Sequence, residues 1–154
     1  MNIVTIIHAF RDAIHDNAAL QSWCATNYAA AHVVHVGIDT RKPPAIDRPL
    51  VHLFPLSRTD GSQGETCVIG ISCGLPDDDL LTTTKTRVIE LEGISMLDQF
   101  RDYVKTIGEG TSLSSGCWLG DIETSYEAVE FFPYFVAGME VPVHYRVRRV
   151  RPVL

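Results

Sequence analysis

The side chains best suited to chemistry in this 154-residue chain are four cysteines, six histidines and one run of acids. A thiol beside an imidazole would make a nucleophile with its base. Any of Cys24, Cys67, Cys73 and Cys117 could be so paired, but no spacing brings a particular Cys to a particular His. Cys67 and Cys73 fall on the apolar face of a β-rich segment, where thiols are inert. The four contain no Cys-x-x-Cys pair and no His at zinc spacing, so they read as buried free thiols without a disulfide. His8 and His15 are seven residues apart on one helix face and lack a third ligand. Pro76-Asp-Asp-Asp79 sets three carboxylates in a row, an arrangement that does not converge on one ion in a strand or helix, and it reads as a solvated turn. There is no glycine-rich phosphate loop, no His-Glu-x-x-His and no Gly-x-Ser-x-Gly elbow. The expectation is no catalytic residue, no metal, no cofactor and no enzymatic activity.

Composition bounds the alternatives. Hydrophobic residues at 45% and charged residues at 21% are ordinary for a folded domain, and 154 residues can bury a core without staples. No apolar run reaches the ~20 residues that span a bilayer, and the first residues lack the basic start of a signal peptide, so we expect cytosolic folding and no membrane partner. The net charge of −6 is uneven. Residues 146–154 hold Arg146, Arg148, Arg149 and Arg151 and no acid; the other nine basic residues against 19 acidic ones leave residues 1–145 ten charges negative. An acidic body argues against sequence-specific nucleic-acid binding, while a basic end suits an acidic surface, including that of a second copy.

The elements that must position these groups follow from periodicity. Ile3, Ile6, Ile7, Phe10 and Ile14 mark a helix ending near Asp16, and Asn17 caps a second helix with Leu20, Trp23 and Cys24 inward. Val33–Ile38 is a strand, and the Pro-containing run 41–45 a loop. Pro49–Leu75 predicts a long β-hairpin around which the rest is organised, with the polar run Ser57–Glu65 as its linker. Along its second strand Cys67, Ile69, Ile71 and Cys73 share the core face. Val68, Gly70, Ser72 and Gly74 share a face so free of bulk that it meets water or another backbone. Thr82–Leu91 is a strand. Ser95-Met-Leu-Asp98 resembles a capping box opening a helix along Ile94, Leu97, Phe100, Val104 and Ile107 to Gly108. Cys117–Ile122 is a short strand. From Met139 the alternation with Val141, Val143, Tyr145 and Val147 marks a final strand, with Gly138 as the turn before it and Pro142 as the sign of an edge. The fold class is α+β, a mixed and mostly antiparallel sheet with helices on one face and a long hairpin.

This order of elements resembles the small tail-terminator and tail-completion proteins (minor tail proteins) of long-tailed bacteriophages and prophages. The resemblance is one of layout over most of the chain, including the N-terminal helix, Arg48-Pro-Leu-Val-His-Leu-Phe54, and the closing segment Tyr126-Glu-Ala-Val-Glu-Phe-Phe-Pro-Tyr-Phe135. It implies one domain over 1–154, a ring homo-oligomer, often hexameric, that caps the tail tube, and a surface for the head–tail connector. Its partners would be itself, the tail tube protein and the connector. Its place would be the virion tail, after assembly in the host cytoplasm. The family has no catalytic residues. The residues expected at an assembly surface are Arg58, Asp60, Gln63 and Glu65 of the hairpin and Arg146, Arg148, Arg149 and Arg151 of the basic end. The competing class is a small cytosolic ligand-binding or enzymatic α+β domain whose site is assembled from distant residues.

Overall fold

The computed structural model describes residues 1–39, 41–77, 79–81, 86–126 and 134–146. The expectations for Asp78, for residues 82–85 and 127–133, and for Val147, Arg148, Arg149 and Arg151 lie outside them. In chain order the elements are helices α1 (Ile3–His15) and α2 (Ala18–Tyr28), strands β1 (Val33–Val36), β2 (Leu50–Asp60), β3 (Glu65–Pro76), β4 (Leu80–Leu81) and β5 (Glu90–Leu91), helix α3 (Glu92–Glu109), and strands β6 (Cys117–Leu119), β7 (Glu123–Tyr126) and β8 (Tyr134–Tyr145). The main sheet runs β1-β2-β3-β8, with β6 and β7 side by side in sequence on the far flank of β8. Only β1 and β2 are parallel among these pairs. This is the expected α+β class.

Strand β3 lies at the centre. It pairs with β2 from Leu50↔Gly74 to Asp60↔Glu65 and with β8 from Glu65↔Tyr145 to Pro76↔Tyr134. Its period of two places Cys67, Ile69, Ile71, Cys73 and Leu75 on a fully buried face. All three helices pack there: Ile6, Ile7, Phe10 and Ile14 of α1, Leu20 and Cys24 of α2, and Leu97, Phe100 and Val104 of α3 join one core with Val51, Leu53, Met139, Val141 and Val143. The opposite face of β3 is partly open to water at Thr66, Val68 and Ser72, and its two glycines are covered by side chains and not by a second backbone. The ring of Phe54 lies over Gly70, and the Ile46 side chain reaches to 3.5 Å from where a Cβ of Gly74 would stand. The missing bulk is supplied by neighbours of the same sheet face.

Caps set the helix ends. The Asn2 side chain accepts from the amides of Val4 (3.0 Å) and Thr5 (3.4 Å), and Asn17 accepts from Leu20 (2.9 Å), as its position before an amphipathic run predicts. Helix α3 departs from the capping-box expectation. It opens at Glu92, directly from β5, with Leu91 as a cap that makes no side-chain bond, and Ser95 lies inside the helix. The buried stripe is therefore Gly93, Leu97, Phe100, Val104 and Gly108. Ile94 sits about 120° round the helix from Phe100 and is 55% exposed.

Four further expectations need correction. The polar run Ser57–Glu65 is mostly strand: Ser57, Arg58, Thr59 and Asp60 pair with Val68, Cys67, Thr66 and Glu65, after an irregularity at Leu56. Backbone pairing does not require apolar side chains, and the turn is only Gly61–Gly64, closed by reciprocal amide-to-carbonyl bonds of 2.8 and 3.4 Å. Gly138 is no turn; it pairs with Ser72 inside β8. Pro142 is not on an edge strand either. The Pro142 carbonyl accepts from the Gly120 amide at 2.8 Å, so its nitrogen faces the same flank, at the gap between β6 and β7, where no ladder bond is lost. Of the predicted strand Thr82–Leu91, only Glu90–Leu91 is strand among the described residues, paired with β4.

Two substitutions test this packing. Ile71→Ala is expected to lower stability by about 2–5 kcal/mol and Ser72→Ala by less than about 0.5 kcal/mol, read from urea midpoints; equal losses would shift the register by one residue. In a helix interior alanine is favoured over glycine by about 1 kcal/mol, and in the first turn, where Gly93 lies, by less. Here the added methyl would overlap the ring of Phe135, which is fully buried and cannot swing away. Overpacking of about 1–3 kcal/mol decides the sign, and Gly93→Ala is expected to lower the thermal midpoint.

Candidate assembly surfaces

The hairpin turn gathers most of the residues singled out in the sequence. Arg58 donates to Asp60 (2.8 Å), to Glu65 (3.2 Å) and to the Met1 carbonyl (3.4 Å). The same Glu65 oxygen accepts from the Met1 ammonium at 3.0 Å, in a partly buried contact. These charges fasten the start of α1 to the hairpin, so Arg58 and Glu65 are partly spent within the chain. Gln63 stands exposed in the turn. Arg146 follows directly: its amide bonds the Gly116 carbonyl (3.3 Å), and a Cβ on Gly64 would come within 2.7 Å of the Tyr145 carbonyl. Five of the eight expected surface residues thus share one end of the sheet. Arg148, Arg149 and Arg151 lie outside the described residues.

No described helix covers the other face of the sheet. His52 and Phe54 stack with ring centroids 4.6 Å apart, and His35 stands in register beside His52. Nearer the turn, the Thr66 hydroxyl and His144 Nδ1 are 2.9 Å apart, and Trp118, 49% exposed, tilts against the His144 ring at 5.4 Å. Gly120 is required there, because a Cβ would come within 2.7 Å of the His144 ring nitrogen. Sequence patterning pointed to a polar face here. It could not show that strands β6 and β8 would put an indole against an imidazole, since the register of distant strands is not local information.

Two of the four thiols are held in unreactive states. Burial pushes the thiols of Cys24 and Cys73 up to about 12, so neither is a thiolate at neutral pH. His32, the one buried polar side chain among the described residues, bonds the Ile14 carbonyl through Nε2 at 2.9 Å and so caps the end of α1. Asp77 and Asp79 do acquire a third acid that the sequence reading missed. Glu92, on α3, brings a carboxylate oxygen within 4.8 Å of theirs. The grouping has structural work of its own: Asp77 accepts from the Tyr28 hydroxyl (3.2 Å) and the Asp79 amide (3.0 Å), and the Asp79 carbonyl accepts from the Glu92 amide (3.0 Å). These bonds tie α2, the end of β3 and the start of α3 together.

Further apolar exposures lie before α3. Ile89 and Ile94 are 82% and 55% exposed and line a shallow cleft with Leu91, next to Val88 at 40%. A larger depression of about 430 Å³ lies between the start of α2 and the later turns of α3, with Ala19, Tyr103 and Ile107 in its wall. No described helix is long and apolar enough to cross a membrane.

No protein-family model and no curated protein sequence matches the chain. Among solved structures it is similar to a chain of the virion of a native gene transfer agent particle. The match has a TM-score of 0.55 at 14% identity and covers 92% of this chain and 94% of that one. The likeness is one of fold, and it runs over nearly the whole of both chains.

The capping imidazole makes a pH prediction. Burial lowers the His32 pKa below its ordinary value of 6.5, against the raising effect of the Ile14 carbonyl. The unfolded chain therefore takes up the proton first. Stability is complete above pH 6.5 and falls as pH drops from there towards the depressed folded value, with a slope of at most about 1.4 kcal/mol per pH unit for one group. His32→Gln is expected to flatten urea midpoints between pH 6.5 and 5; an unchanged slope would place the titrating group elsewhere.

Proposed function

We propose that the chain is a structural component of a phage-like tail, a single-domain protein that assembles as a ring, caps the tail tube and offers a surface to the head–tail connector. The observation that carries this reading is the fold shared end to end with a chain of a gene transfer agent virion. Two features agree with it. Cys24, Cys67, Cys73 and His32 are committed to packing and capping, and the hairpin turn collects polar and charged side chains on one end of the sheet, a layout suited to contact with a neighbour. In this reading Asp60, Gln63 and Arg146 meet the tube or the connector, while Arg58 and Glu65 hold the hairpin against α1. The positive charge of Arg148, Arg149 and Arg151 suits an acidic neighbour. The protein would act in the virion tail, having assembled in the host cytoplasm, without a cofactor and without enzymatic activity.

Sedimentation velocity across a concentration series, with negative-stain images of the protein alone and mixed with tail tubes, is the test. Rings, or density at tube ends, are the expected result; a monomer at every concentration that leaves tube ends bare would overturn the reading. Replacing Arg148, Arg149 and Arg151 together by Ser is expected to leave the thermal midpoint unchanged, since exposed charges add little to folding. It should weaken assembly, whose parent form also weakens as salt rises. Rings formed as readily by the triple variant would make the basic end a solvated terminus.

A further inference from the structure

No described helix covers the face of the sheet that carries Phe54, and on the far flank of β8 the charge of that face is of one sign. Glu123 and Glu140 are Cα partners on neighbouring strands, and both are exposed. With Met139 and Val141 buried in the core under the helices, the alternation of β8 turns Glu140 to the helix-free side, and its partner Glu123 with it. Like charges directly opposite one another destabilise a sheet. Neither glutamate has an ion-pair partner among the described residues, and β6, β7 and β8 contain no lysine or arginine.

The glutamate pair is one end of a strip. Four residues further along β8, ~14 Å away, His144 stands opposite the exposed Trp118. Between them the Gly120 amide holds the Pro142 carbonyl, and the exposed Asp121 follows in the gap before β7. The strip therefore presents carboxylates and an aromatic face, and what it lacks is a cation. The chain carries that charge just beyond β8, since residues 147–154 hold Arg148, Arg149 and Arg151 and no acid. Extended, an arm of that length spans roughly 26 Å, more than the length of the strip.

We infer that residues 147–154 of one copy lie across this strip on the next copy, with guanidinium groups on Glu123 and Glu140 and against the Trp118 indole. This rests on the ring reading above and names the acidic neighbour of the basic end. The occupant is a second copy and not the arm's own chain because of where the arm sets out. The Arg146 amide bonds the Gly116 carbonyl, so the chain leaves β8 still running beside the start of β6 and away from Glu140. Closely spaced like charges favour extension over the reversal that a return to the same sheet would need. Arm and strip are different surfaces of one molecule, so the contact is head-to-tail and closes into a ring when the rotation per subunit allows. The turn at Gly61–Gly64 is left free for the tube or the connector.

Charge reversal tests both halves. Glu123→Lys with Glu140→Lys keeps a like-charge pair and inverts its sign, and Arg148→Glu, Arg149→Glu and Arg151→Glu invert the arm. Circular dichroism with a thermal midpoint checks that each variant folds. By sedimentation velocity each variant alone is expected to associate about tenfold or more weakly than the parent, whose own association weakens with salt. An equimolar mixture of the two is expected to assemble again in alternating copies, because each arm then meets a strip of opposite sign. Should either variant alone assemble like the parent, or should the mixture stay monomeric while the parent forms rings, the contact of arm with strip is wrong and the ring reading stands. A parent that is monomeric at every concentration overturns the contact, and if it also leaves tube ends bare the ring reading falls with it.

Discussion

The architecture depends on a single strand being paired on both sides. Strand β3 spends its backbone groups on β2 and β8, so its position is fixed before any side chain is considered. What its side chains then decide is which face is dry. Ile69, Ile71 and Leu75 on one face require helices to cover them, and α1, α2 and α3 are all recruited to that side. On the other face the glycines leave only shallow hollows, and single side chains, Phe54 and Ile46, are enough to fill them. The one-sided distribution of helices is a consequence of this asymmetry within one strand.

The same asymmetry leaves the molecule two kinds of surface. At the hairpin turn it is charged, and part of that charge is consumed internally, since Glu65 is paired with the Met1 ammonium and with Arg58. Around Ile89 and in the Tyr103 cleft it is apolar. Polar contacts of the first kind confer selectivity and steer encounter, whereas burial of the second kind supplies most of the free energy of a stable contact.

Local signals in the sequence were sufficient for α1, for the Asn17 cap, for the register of β3 and for the alternation from Met139 to Tyr145, because each depends on neighbours within a few residues. They failed where a long-range partner overrode the local pattern. Ser95-Met-Leu-Asp98 has the composition of a cap, yet α3 begins a turn earlier because the pairing of β4 with β5 delivers the chain there in helical position. Pro142 reads as an edge residue, and only the break between β6 and β7 explains how an interior strand tolerates it. Ile94 was placed in the core stripe by a spacing of three that Leu97 shares, although the helix turns it outward. Of the surfaces, the charged end of the hairpin could be named from residue types alone. The cleft of Ala19, Tyr103 and Ile107 could not, since it is built from two helices whose packing no sequence pattern records.

The pairing of β3 with β8 also orders events in time. The β2–β3 hairpin closes over a four-residue turn, but Thr66 must wait for His144, 78 residues further along, before its other flank is occupied. Until then the run Cys67–Leu75, β-branched in part and without a charge, presents a bare edge to any other nascent copy. A chain cut short before β8 is therefore not a smaller soluble version of this domain. It is an open template, and translation that stalls in the last quarter of the message yields material for aggregation in place of a usable fragment.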